Sequence, residues 1–300
     1  MAKYFIDGEL SNEAYHKTAK GYSSSQIKDM LEGEEYFYRK HVTKELERDS
    51  SPSFDTGSYF HCAILEPHKL DTEFTSFDGR KAGKAWEEFQ IVHEGKTILN
   101  QTQLGEAINL INATKKNVEM MGLLAEGRPE LSFFSNVFGL DVKVRTDWIH
   151  LSKEKSYIMD LKSSTGNVKN AHKVKSSIEN YHYDLSAALY VLAVNEVIKN
   201  TKLPYALVEN FYWGFASKDV GNSQVWVASE KMMKVGLAKL KTAIGKIQEC
   251  EKNKWVFKDT ILGIDPVGWA TDEWIEKEIP VKQIRKVKTI TQEINLESDV

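Results

Sequence analysis

Between Leu131 and Ser163 the chain abandons helical spacing for strand-like patterning, and this stretch constrains the fold more than any other. "LSFFSNVFG" is aromatic and β-branched, "DVKVRTDWIHL" alternates, the polar "SKEKS" can turn near 152–156, and "YIMDLKSS" supplies the partner of a hairpin. A long helix is predicted from roughly Ser177 to Asn200, followed by strands over "ALVENFYWGFAS" and "SQVWVAS". The next segment, "SEKMMKVGLAKLKTAIGKIQECEKN", is a helix that Ser229 can cap. Upstream, "SSSQIKDMLEGEEYFYRKHV" and "QLGEAINLINATKKNVEMMGLLAE" each keep helical apolar spacing, and "FDTGSYFHCAILEP" is a short helix closed by Pro67. This order predicts an α/β (α+β) architecture, a central mixed sheet of about five strands flanked by helices. A single domain over 1–300 is expected, with a helical part over 1–128, the sheet and its helices over 129–255, and a C-terminal extension over 256–300.

Composition narrows the function. The 300 residues are 41% hydrophobic, enough for one well-buried core. With 40 basic and 43 acidic side chains the chain is no generic polyanion binder, so any nucleic-acid contact must be local. Cys62 and Cys250 are too few for a disulfide framework or a four-cysteine metal site. The longest apolar run, Ala187 to Val194, is far short of a membrane span, so a soluble, cytoplasmic protein without membrane contact is expected. No phosphate-cradling glycine loop is present, and "GFASKDVG" lacks the spacing of a nucleophile elbow.

The strand "YIMDLKSS" carries the chemistry. Alternation sends Asp160 and Lys162 to one face and Met159 and Leu161 to the other. On the preceding strand it groups Lys143, Arg145 and Asp147 against Val142, Val144 and Trp148. The hairpin brings Asp147 close to Asp160, and two converging carboxylates repel unless a cation or a shared proton resolves the repulsion. A neighbouring lysine can orient a metal-bound water or stabilise phosphate charge, which is the chemistry of phosphodiester hydrolysis. On the hairpin alone, a solvated cross-strand Asp–Lys pair is the commoner origin of such residues.

Asp147, then Asp160-Leu161-Lys162 thirteen residues later on the next strand, resembles the PD-(D/E)xK nuclease core, and specifically the exodeoxyribonuclease VIII (RecE-like) branch of phages and prophages. "YHKTAKGYSSSQIKDML", "TGSYFHCAILEP", "RKAGKAWEEF", "PELSFF", "VKVRTDW" and "YHYDLSAALY" are similar to that branch in the same order, over roughly residues 15 to 195. The resemblance implies a restriction-endonuclease-like fold. It implies that Asp147 and Asp160 are the principal metal ligands, Lys162 the water-handling lysine, His61 a further ligand and Glu130 an assisting acid. Mg²⁺ is the implied cofactor, with Mn²⁺ able to substitute. The implied activity is exonucleolytic hydrolysis of double-stranded DNA ends, 5′ to 3′, with a single-strand annealing recombinase as partner in a bacterial host. Homo-oligomers occur among such relatives. An endonuclease, a single-strand-specific nuclease, or a non-catalytic DNA-binding protein on the same fold are the alternatives.

Two departures stand out. Thr146 replaces the proline of the motif name, and Ser186 replaces the glutamine of a Tyr-x-x-Gln pattern beginning at Tyr183. Tyr183 and Tyr190, seven residues apart on one helix face, are more commonly packing residues than DNA contacts. Candidate phosphate contacts are Arg80, Lys81 and Lys84 beside Trp86, and Lys169, Lys173 and Lys175 beside His172, although charge runs are commonly just solvated faces.

Overall fold

The computed structural model describes residues 3–5, 10, 11, 14–46 and 52–257. The extension expected at the C-terminus lies, beyond Phe257, outside the described residues. In chain order the elements are β1 (Lys3–Phe5), α1 (Ser24–Glu32), α2 (Glu34–Phe37), α3 (Pro52–Leu65), α4 (Leu70–Glu73), β2 (Phe74–Phe77), α5 (Lys84–Val92), β3 (Thr97–Asn100), α6 (Gln101–Lys115) and α7 (Val118–Leu123). There follow β4 (Arg128–Val137), β5 (Leu140–Leu151), β6 (Ser156–Ser164), α8 (Ala171–Asn180), α9 (Tyr183–Thr201), β7 (Val208–Ser217), β8 (Ser223–Val227) and α10 (Glu230–Lys252). All lie within one unit, Met1–Trp255.

Side-chain capping starts the helices where the sequence places a short polar residue. Ser23 and Gln26 form a reciprocal capping box at α1, and Asn100 and Gln103 do the same at α6. Ser229 accepts from the Met232 backbone at 3.2 Å, as its position before α10 predicts. Three predicted helices are interrupted. Gly33, at φ 147°, separates α1 from α2, and Asn117 caps α7 anew after α6. His182, at φ 49°, separates α8 from α9, so the helix predicted from Ser177 begins at Tyr183 instead.

Among the described residues, six strands form one sheet in the order β1-β4-β5-β6-β7-β8, one more than expected because β1 adds to the edge. Neighbours are antiparallel except β6 and β7, which run parallel through the α8–α9 crossover. Residues alternating along β7 show that both faces are covered. Phe211, Trp213 and Phe215 enter a core with α1, α8, α9 and α10, whereas Tyr212 and Ala216 join a second core with α3, α6 and α7. Each fully buried large apolar side chain contributes about 1.5–3 kcal/mol. The first core is tightly fixed where α9 and α10 cross: Lys239 pairs with the fully buried Asp184 at 2.9 Å, and a Cβ on Gly236 would stand 2.0 Å from the Asp184 carbonyl oxygen.

The sheet forks at its centre. β5 and β6 pair only through Trp148–Leu151 and Ser156–Met159. Beyond that, β5 stays with β4 as far as Leu140, while β6 stays with β7 as far as Ser164. Asp147 and Asp160 are the first residues past the last pair, so both carboxylates stand in the opening. A second, two-stranded parallel sheet, β2 with β3, is linked by α5; Phe77 there contacts Trp86 and Phe89 at ring-centroid distances of 5.3 and 4.9 Å.

The regular alternation expected along β5 does not hold. Val142 and Val144 enter the first core, but Trp148 packs against the second and Ile149 returns to the first. The slip coincides with Glu130, whose φ of 50° is left-handed, and with the omission of Glu130 and Asp147 from an otherwise continuous β4–β5 register. A non-glycine residue held there costs of order 1–3 kcal/mol, and such strain concentrates at functional sites.

Candidate metal centre

Four elements converge on the fork. Asp147 leaves β5 at the point where the ladder to β6 ends, and its Oδ2 takes over the role of a strand acceptor, receiving the Leu161 N–H at 2.8 Å. That bond fixes the carboxylate and leaves its remaining lone pairs free for a further partner. His61 reaches the same oxygen from α3, with Nδ1 at 3.6 Å. It is placed there because its neighbours Phe60 and Cys62 are buried beneath the helix while His61 keeps 28% of its side chain exposed. Glu130 arrives from β4 on its left-handed backbone. One ligand atom from each of His61, Glu130 and Asp147 lies within 4.8 Å of the others, a group that can hold a metal ion.

The electrostatics of this group fit a cation. Burial, then the charges of Asp147 and Glu66, push the Glu130 carboxyl up from its ordinary 4.5 to about 8. The Arg145 guanidinium opposes the shift; it is held by Ser132 Oγ at 2.8 Å and lies 4.4 Å from the centre of the Tyr15 ring. Two oxygen donors and an imidazole, with one carboxyl held protonated by burial and then by its acidic neighbours, form a donor set that a hard divalent ion satisfies by replacing the proton.

Asp160 stands next to this group rather than inside it. It is 5% exposed, and Lys162 Nζ lies 2.5 Å from its Oδ2. Burial raises its carboxyl to about 6, against the opposing pull of Lys162 and with the Asp147 charge adding to the rise. Burial alone would lower the Lys162 ammonium, but the charges of Asp160 and Asp147 outweigh it and hold the lysine firmly protonated. Lys162 also sits 4.8 Å from the centre of the Tyr183 ring. Of the residues expected at the site, the structure therefore groups His61, Glu130 and Asp147, sets Asp160 and Lys162 beside them as an ion pair, and lays Tyr183 against Lys162.

The basic candidates lie on other elements. Arg80, Lys81 and Lys84 are exposed at the start of α5, where Lys81 lies 5.4 Å from the Trp86 ring centre and donates to the Ile98 carbonyl, and Lys84 pairs with Glu88. Lys169, Lys173 and Lys175 are exposed around the start of α8, which Asn170 caps. Tyr190 packs on Phe211, at 6.3 Å between ring centres, and adjoins the site: burial, then Tyr15 and the Asp160, Asp147 and Glu130 carboxylates, push its phenol well above the ordinary value. Ser186, in place of the expected glutamine, is buried and bonded to Ser24 Oγ at 2.8 Å. Strand alternation already puts Arg145 on the face of Asp147, but sequence reasoning missed Glu66 and Lys28 as neighbours of the site. Their only signal was charge, which is common on any surface.

Among the described residues no helix is long and apolar enough to cross a membrane. No curated protein matches the chain. A solved structure of a "Putative exonuclease" from Eubacterium rectale aligns with a TM-score of 0.59 at 16% identity, covering 88% of this chain and 97% of the other. At that identity the likeness establishes the restriction-endonuclease-like fold. The family described as "PDDEXK-like domain of unknown function (DUF3799)" matches residues 23–256, which takes in the fork with His61, Glu130, Asp147, Asp160 and Lys162. The chain belongs to this family, within the PD-(D/E)xK superfamily.

Proposed function

We propose that this chain is a divalent-metal-dependent deoxyribonuclease of the RecE-like branch, an exonuclease that hydrolyses phosphodiester bonds of linear double-stranded DNA from the 5′ end. The observation that carries the reading is the meeting of His61, Glu130 and Asp147 beside the Asp160–Lys162 pair at the fork of the sheet. These residues come from α3, β4, β5 and β6, and no requirement of folding alone gathers three acids and an imidazole there. The exonuclease name carried by the Eubacterium rectale protein agrees with this reading.

His61, Glu130 and Asp147 would hold the ion, with Asp160 able to join them once its oxygen turns from Lys162. When bound, Mg²⁺ or Mn²⁺ supplies Lewis acidity and an activated water. The backbone N–H of Leu161 fixes Asp147 in place, so its remaining acceptor capacity is preorganised. Lys162, kept protonated by Asp160, donates hydrogen bonds toward the reacting phosphate or the attacking water and offsets negative charge that develops there. The strands produced would serve a single-strand annealing partner in phage-type recombination in a bacterial host.

Digestion of linear and covalently closed duplex, with Mg²⁺ and with chelator, tests the proposal. Mg²⁺-dependent loss of linear DNA with closed circles spared is expected. Cleavage of the closed circles would instead make the enzyme an endonuclease, and absence of cleavage of any duplex would overturn the reading.

A further inference from the structure

Beside the Asp160–Lys162 pair lies a second cation. Where α1 crosses α9, Ser24 donates to Ser186 at 2.8 Å, a contact between two small buried side chains that lets the helices approach closely. One turn along α1 from Ser24 is Lys28, and one turn back along α9 from Ser186 is Tyr183. The crossing therefore sets Lys28 against Tyr183: its Nζ lies 5.6 Å from the Tyr183 ring centre, while Lys162 lies 4.8 Å from the same centre. A long side chain at position 186 would hold the helices apart.

Lys28 is spent on little else. It donates to the Tyr181 carbonyl at 3.2 Å, and among the described residues it makes no ion pair. Burial, then the like charge of Lys162, lowers its ammonium to about 8, against the opposing pull of the Asp160, Asp29 and Asp184 carboxylates. Two ammonium groups sharing one ring repel each other in the free protein. Asp160 offsets part of that repulsion, and an anionic phosphate bound by both ammonium groups offsets the rest, beside the carboxylates that hold the metal.

We infer that Lys28 and Lys162 form a two-lysine clamp across Tyr183 that binds a phosphate of the DNA backbone at the active site, with Lys28 contacting the phosphate directly. This rests on the nuclease reading for its ligand, and extends it to a residue and a helix outside the metal group. A neutral group at Lys28 would weaken DNA binding without altering metal affinity.

The test is binding of a short fluorescent duplex, in Ca²⁺ and across a range of salt, by wild type, Lys28→Met, Lys28→Gln and Lys28→Arg. Loss of one phosphate contact lowers the slope of log affinity against log salt by about one and weakens binding about tenfold. The Met and Gln variants should both show this, Arg should restore it, and Mn²⁺ affinity should stay unchanged in all three. A purely structural lysine that caps the α8 end would lower thermal stability but leave the salt slope unaltered. Unchanged slopes in the folded Met or Gln variant, or a wild type that does not bind duplex, would overturn the clamp. Because the assay reads binding, it judges Lys28 separately from whether the wild type cleaves.

Discussion

The strongest consequence of burying Glu130 among other acids is that the metal-free protein should lose stability as pH rises toward 8, and that Glu130→Gln should abolish most of that loss. In the folded chain Glu130 keeps its proton until about pH 8, whereas the unfolded carboxyl loses it near the ordinary 4.5. Between these values the folded state binds more protons, so stability falls with rising pH. From about pH 6 to about pH 8 the limiting effect is about 2.7 kcal/mol, and solvent at a half-buried carboxyl screens this to about 1 kcal/mol. For a chain of this size that is a fall of about 2–4 °C in melting temperature. The opposite linkage from Lys28, whose ammonium is lowered to about 8, acts above this window. Melting in chelator at closely spaced pH values measures the slope. Mn²⁺ should remove it in the wild type by replacing the proton, and should stabilise Glu130→Gln less. A wild-type melting temperature flat across the window, or an equal slope in Glu130→Gln, would refute the crowding argument.

Further outcomes follow from individual contacts. Asp160→Asn, which keeps the shape beside Lys162 but removes the charge, should lower duplex cleavage at least about 10²-fold, a loss of about 2.7 kcal/mol of transition-state stabilisation, with the circular dichroism spectrum unchanged. Lys239→Met strands the fully buried Asp184 without its partner and should cost about 3–5 kcal/mol in urea unfolding, whereas a change under about 1 kcal/mol would mean the ion pair is dispensable. Gly236→Ala places a methyl 2.0 Å from the Asp184 carbonyl oxygen and should destabilise by more than about 2 kcal/mol, because the two helix backbones must separate. Ser186→Gln should break the bond to Ser24 and destabilise the α1–α9 crossing by about 1–3 kcal/mol, read by the same unfolding assay.

Much of the sheet was legible because strand patterning over β4 to β6 is strong, and because "SKEKS" marks the hairpin turn that sets Asp147 opposite Asp160. The Ser229 cap and the Pro67 stop were equally plain. The fork was not, since nothing in composition says that the β5–β6 ladder ends at Trp148 and Met159. The slip in alternation was also hidden: it depends on a left-handed glutamate, and left-handed backbone is foreseeable at glycine but not at Glu130. His182 broke a predicted helix for the same reason. β1 is three residues long, too short for any period to register, and β2–α5–β3 carries aromatic and charged residues at spacings that fit several elements. Lys28 was invisible for another reason. Its place depends on two serines, Ser24 and Ser186, that lie 162 residues apart and meet only in the folded chain.

Location of the ion itself would test the account most directly. Crystals soaked in Mn²⁺ and measured at its absorption edge should show an anomalous peak bounded by His61, Glu130 and Asp147, at about 2.0–2.3 Å from the donor atoms. A peak held by other residues, or none at saturating Mn²⁺, would contradict it.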